Sequence, residues 1–111
     1  MILALQRSDY FLGDFDLQFR WYLAQAGDAV ADRYVDAVER TLQDLAAQPG
    51  LGRRRAFRHE ELQGLHSFRV RPPFDAHLIF YRYSGTELSA ERVMHGRRDL
   101  PRRLRQPPGG A

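Results

Sequence analysis

The feature that most constrains the fold is a change of hydrophobic period partway along the chain. In the first half, apolar residues recur every three or four positions. Leu12, Phe15, Phe19, Tyr22 and Ala26 form one such stripe, and Val30, Tyr34, Val38, Leu42 and Leu45 form another. A period near 3.6 marks amphipathic helices, each with one face to bury. Ser8 or Asp9 is suited to capping the first helix, Gly27 to closing it in a left-handed conformation, and Asp28 to capping the second. Gln48-Pro49-Gly50 stops the second helix, because proline lacks the donor and restricts the residue before it. The connection at Gly27-Asp28 is short, which makes the pair an antiparallel helical hairpin.

Beyond residue 64 the signals are those of strands. Residues 65–71 alternate His66, Phe68 and Val70 against Ser67, Arg69 and Arg71, giving one apolar and one basic face. Pro72-Pro73 ends that strand. Residues 76–83 are apolar on both faces, as a central strand would be. Ser84-Gly85 supplies a tight turn, and residues 88–95 return antiparallel. Residues 1–7 are extended in character and predict a first strand. Residues 49–64 read as a loop with Arg53-Arg54-Arg55 at its centre. Residues 99–104 predict a last helical turn, with Asp99 as cap and Arg102 and Arg103 exposed. The predicted order is β-α-α-β-β-β. Two helices must bury their stripes on one face of a sheet, so the expected class is α+β, a two-layer fold with an antiparallel sheet against an αα-hairpin. A single domain is expected over residues 1–104, with a flexible Pro/Gly tail over 105–111.

Composition removes several chemistries. With 111 residues and a 43% hydrophobic share, one core is feasible. The absence of cysteine excludes disulfides, a thiolate nucleophile and Cys-ligated zinc. All 17 basic residues are arginine. Missing lysine and asparagine, with isoleucine only at positions 2 and 79, fit a GC-rich coding sequence. Without lysine there is no Walker A lysine and no Schiff base. His59, His66 and His77 show no metal-ligand spacing, so neither metal nor other cofactor is expected. The apolar run over residues 1–5 is too short for a signal peptide or a membrane span, and a soluble cytoplasmic protein is expected. Charge is uneven. Residues 1–48 carry 4 Arg against 8 acids, a net of −4, and residues 49–111 carry 13 Arg against 6 acids, a net of +7. The basic half suits an acidic partner.

Several segments carry a family likeness. They are Trp21-Tyr22-Leu23, Ala31-Asp32-Arg33-Tyr34-Val35-Asp36-Ala37-Val38-Glu39, Leu45-Ala46 and Pro49-Gly50-Leu51-Gly52-Arg53. Further on come Leu65-His66-Ser67-Phe68-Arg69-Val70, Leu78-Ile79-Phe80-Tyr81-Arg82 and Arg92-Val93-Met94-His95-Gly96-Arg97-Arg98-Asp99-Leu100. In this order they resemble the RelE/ParE toxin superfamily, and its ParE branch more closely. The resemblance implies a bacterial type II toxin in a hetero-oligomer with an antitoxin, whose acidic C-terminal segment folds on the toxin. The ParE branch implies poisoning of DNA gyrase by protein contact. The RelE branch implies cleavage of messenger RNA on the ribosome. A non-toxic relic that only binds the antitoxin is a third reading.

The branches ask for different residues. Metal-free RNA cleavage needs a base, a cation and an acid. Arg69, Arg71, Arg82 and His95 are the candidates, if sheet register gathers them; no tyrosine follows Tyr83. Inhibition by contact asks only for surfaces, without direct contact to nucleic acid. The candidate target contacts are Arg92, His95, Arg97 and Arg98. The candidate antitoxin contacts are Trp21, Tyr22, Tyr34, Val38 and Leu42, in a groove on the helical hairpin, together with Arg53. An antitoxin segment added to a sheet edge is the alternative. Trp21 lies off the main stripe, as an interface aromatic would.

Overall fold

The computed structural model describes residues 1–96 and 99–110. The chain runs β1 (Ala4–Arg7), α1 (Asp9–Ala26), α2 (Asp28–Ala47), β2 (Arg53–Arg54), β3 (His66–Arg69), β4 (His77–Tyr83), β5 (Glu87–His95) and α3 (Leu100–Leu104). Short 3₁₀ turns at Pro49–Leu51 and Glu60–Leu62 flank β2. This is the expected α+β architecture, a five-stranded sheet carrying the two long helices.

The strand order is β1-β5-β4-β3-β2. Every pairing is antiparallel except β1 with β5, which is parallel from Ala4↔Glu87 to Arg7↔Ala90. The first strand returns through the helical hairpin to the far edge of the sheet, so its direction matches β5. It starts at Ala4, three residues later than the extended character of residues 1–7 predicts.

α1 begins where the Ser8 hydroxyl accepts from the Phe11 backbone N–H at 3.0 Å. Gly27 links the helices with φ 88°, and its N–H donates to the Tyr22 carbonyl. Asp28 makes no side-chain cap bond and lies in the first turn of α2. The α2 stripe is as predicted: Tyr34, Val38, Leu42 and Leu45 are fully buried. On α1 the stripe is rotated by one residue at its start. Phe11 is buried, while Leu12 is exposed.

A β-bulge in β5 explains why alternation fails there. Phe80 pairs with Arg92 and Tyr81 with Ala90, which leaves Glu91 as the extra residue. One inserted residue flips the parity of the strand. Leu88, Ala90 and Val93 therefore all join the helix-side core with Ile79 and Tyr81. Glu91 meets Arg82 at 3.0 Å.

The opposite sheet face is also covered. Leu100 and Leu104 of α3 pack with Leu62, Leu65, Phe80 and Met94 into a second core. β4 is apolar on both faces because both faces are buried. Asp99 makes no side-chain cap bond to α3; it sits in the left-handed region and pairs with Arg102 at 3.5 Å. Arg103 is half-buried and donates to the His95 carbonyl at 3.0 Å. Residues 105–110 fold back over α1, with Pro108 lying against Gly13, where a Cβ would meet its Cγ at 2.6 Å.

Candidate functional site

The predicted site residues fall into three places, beginning with the interior. Tyr34, Val38 and Leu42 were expected in an antitoxin groove, yet none exposes any surface. Their stripe is spent on the sheet: Tyr34 packs against Phe15, Tyr22, Phe74 and His77. Arg92 was expected to meet the target, and it too is buried. Its guanidinium grips Asp14 with two parallel bonds, Nε to Oδ2 at 2.7 Å and Nη2 to Oδ1 at 2.8 Å. Nη1 donates to the carbonyls of Arg103, Leu104 and Gln106, and the group lies over the Tyr10 ring. A buried guanidinium needs this many acceptors, since its desolvation must be matched by hydrogen bonds. Arg92 holds the C-terminal segment to α1 and has no surface for a partner.

The second place is the end of the sheet where β5 stops. Trp21 is 55% exposed and stands edge-on to Tyr22, with ring centroids 5.3 Å apart. The Tyr22 hydroxyl hydrogen-bonds His77 Nε2 at 2.9 Å, and burial raises the Tyr22 pKa. His77 pairs in register with His95, their rings perpendicular at 5.5 Å. Trp21, Tyr22, His77, His95, Gln18 and Ala76 line a cavity of about 350 Å³. The structure thus joins Trp21 and Tyr22, read as antitoxin contacts, to His95, read as a target contact. Arg97 and Arg98 lie outside the described residues.

The third place is the β3 edge. A groove of about 630 Å³ runs along it, lined by Leu51, Arg53, Arg55, Phe68, Arg69 and Leu78 among others. Arg71 also reaches it but is committed to α2. Its Nε and Nη2 hold both Asp44 oxygens at 2.9 and 2.7 Å, a bond that raises its pKa. The reason the edge is open lies in Tyr81. Its hydroxyl donates to the Pro49 carbonyl at 2.6 Å and accepts from the Gly52 N–H at 2.9 Å. That pins residues 49–52 beneath the edge and leaves β2 only two residues long.

These positions do not gather a ribonuclease site. Arg69 pairs with Leu78, and Arg82 lies four residues further along β4, about 13 Å away at the rise of a strand. Phe80 stands between them under Leu100 and Leu104. Arg82 is held by Glu91 and by the carbonyls of Glu61 and Gln63. Arg71 turns away to Asp44. His95 sits at the opposite end of β4 from Arg82, beside His77. Arg69 shares one cavity with His95, Asp75, Leu78 and Leu100, and the β3-edge groove with Arg71. Among the described residues no group of three or more metal-binding side chains occurs, and no helix is long and apolar enough to cross a membrane.

The chain is thus a small α+β protein whose open features are a cavity at the end of its sheet and a groove along the β3 edge. The model of the ParE toxin of type II toxin-antitoxin system, parDE, matches residues 5–100, and the chain belongs to that family. Among solved structures it is similar in fold to a chain of the chromosomal ParDE TA system from P. aeruginosa. The TM-score is 0.68 at 18% identity, covering 85% of this chain and 96% of that one. No curated protein sequence matches it.

Proposed function

We propose that this ParE-family chain is held inactive by a cognate antitoxin with an acidic C-terminal segment, and that its free form poisons DNA gyrase in the cytoplasm by contact. The observation that carries this reading is the second core. The sheet face on which an RNA-cutting site would assemble is filled by Phe80, Met94, Leu100 and Leu104. With Arg82 and His95 held at opposite ends of β4, the chain is read as acting through its surfaces. Of the predicted target contacts, His95 lies at the end of the sheet, and Arg97 and Arg98 follow it in sequence. Trp21, Tyr22 and Arg53 are the predicted antitoxin contacts that retain exposed surface.

Induced expression tests the reading. The wild-type chain arrests growth, and co-expression of the antitoxin restores it. The Arg97→Glu/Arg98→Glu double variant folds but inhibits weakly. Growth arrest of undiminished strength in that variant would move the target surface elsewhere.

A further inference from the structure

We infer that the groove along β3 binds a small phosphomonoester with an apolar or aromatic body, its phosphate held over the Ser67 hydroxyl by Arg53, Arg55 and Arg69. The site is independent of the antitoxin and gyrase readings.

Strand register supplies the first argument. Arg53 of β2 pairs with Ser67 of β3, so the two side chains leave the same sheet face. Arg69 stands two residues beyond Ser67 and returns to that face. Arg55 joins them, because its Nη1 donates to Ser67 Oγ at 3.3 Å. All four line the groove of about 630 Å³. Ser67 is 5% exposed. Its hydroxyl makes no other hydrogen bond among the described residues, so its proton is left to donate. A buried hydroxyl with three guanidiniums on the same face is a donor set that a terminal phosphate satisfies, since it carries three acceptor oxygens on one atom.

Charge and shape select the ligand. Arg53 has no hydrogen-bond or ion-pair partner among the described residues. Besides Ser67, Arg55 has only the Phe57 ring, and Arg69 has only the Asp75 carbonyl at 3.2 Å. Burial, and then Arg53 itself, lower the Arg55 pKa, the direction expected of a cation short of an anion. Two carboxylates line the groove. Asp44 is neutralised by Arg71, and Asp75 lies past the opposite end of β3 from Arg55. A doubly charged phosphate balances the three guanidiniums better than a single carboxylate does. Leu51, Phe68 and Leu78 add an apolar wall beside them. A few polar groups set in an apolar groove of this size suit a small molecule. A nucleic-acid backbone spreads single charges along a strand, whereas these arginines gather about one hydroxyl.

The test titrates phenyl phosphate into the full chain, read by calorimetry and by the NMR shifts of the β2 and β3 amides. Saturable binding is expected, about tenfold tighter than that of inorganic phosphate because the ring is also buried. Arg53→Gln changes an exposed side chain, keeps the fold and is expected to weaken binding about tenfold. Ser67→Ala is expected to weaken it about tenfold as well, the scale of a hydrogen bond to a charged group. Arg20→Gln on the outside of α1 serves as control and leaves affinity unchanged. Affinity indifferent to positions 53 and 67, or no better than that of inorganic phosphate, overturns the inference. A short single-stranded oligonucleotide, whose internal phosphates are diesters, that binds as tightly and displaces phenyl phosphate also overturns it. So does the absence of binding by the wild-type chain.

Discussion

Arg92 and Asp14, 78 residues apart in sequence, form a buried bidentate ion pair that ties the last strand to the first helix. Their side chains are 6% and 8% exposed. Asp14 Oδ2 also accepts from the Val93 N–H at 3.2 Å. Three carbonyls of the C-terminal segment complete the arginine's shell, so one guanidinium joins β5, α1, α3 and the chain beyond.

Removing one partner of this pair strands the other. Asp14→Ala is predicted to destabilise the fold by about 3–5 kcal/mol, the cost of an uncompensated buried charge. Arg92→Met leaves Asp14 its backbone donor at Val93 and is predicted to cost less. It releases residues 100–110, so faster amide exchange there is the distinguishing readout. Urea midpoints of the two variants check the ranking.

Gly52 is fixed by contact with Tyr81. A Cβ at position 52 would lie 2.1 Å from the Tyr81 hydroxyl. Gly52→Ala is predicted to cost about 1–3 kcal/mol by overpacking, and to break both hydroxyl bonds. Tyr81→Phe alone leaves the Gly52 N–H unpaired, at about 1–2 kcal/mol. The double variant relieves part of the clash, so the two costs are less than additive in a thermal-melt cycle.

Tyr34 gives the opposite sign. Its hydroxyl is buried with no hydrogen-bond partner among the described residues. Tyr34→Phe is predicted to raise stability by about 1 kcal/mol, because the ring contacts remain and an unsatisfied group is removed. A lowered melting temperature would mean that the hydroxyl is satisfied in solution.

Much of this was legible in the sequence, and the exceptions share a cause. The α2 stripe and the sheet strands follow from local period, and Ser8 from local cap chemistry. The stripe says that Tyr34, Val38 and Leu42 are buried, but not whether a sheet or a partner buries them. The sheet takes them all. Leu12 was read for Phe11 because both neighbours are apolar and the stripe's start is fixed only by packing. The Arg92–Asp14 pair has no local signal, and neither does a two-residue β2 whose length is set by Tyr81 from β4. α3 escaped as a cover because its apolar positions are only Leu100 and Leu104, too few to show a period. The separation of Arg82 from His95 is set by strand register, which local sequence does not fix.

The tyrosines set an alkaline limit. Burial raises the pKa of Tyr34 most, and those of Tyr22 and Tyr81 as well. Above the ordinary value of about 10 the unfolded chain sheds these protons while the native chain keeps them. The unfolded state then binds fewer protons, so stability falls as pH rises through that window and is fully present below it. Urea midpoints from pH 8 to 11 are expected to hold and then decline, and Tyr34→Phe is expected to flatten the decline.

Inhibition of gyrase by contact is read out by a cleavage assay with purified components. Supercoiled plasmid is incubated with gyrase, ATP and the antitoxin-free chain, and then denatured to reveal trapped breaks. Linear DNA is expected to increase with toxin, to disappear when antitoxin is added, and to be absent without gyrase. Unbroken plasmid and undiminished supercoiling at large molar excess of the chain would contradict it.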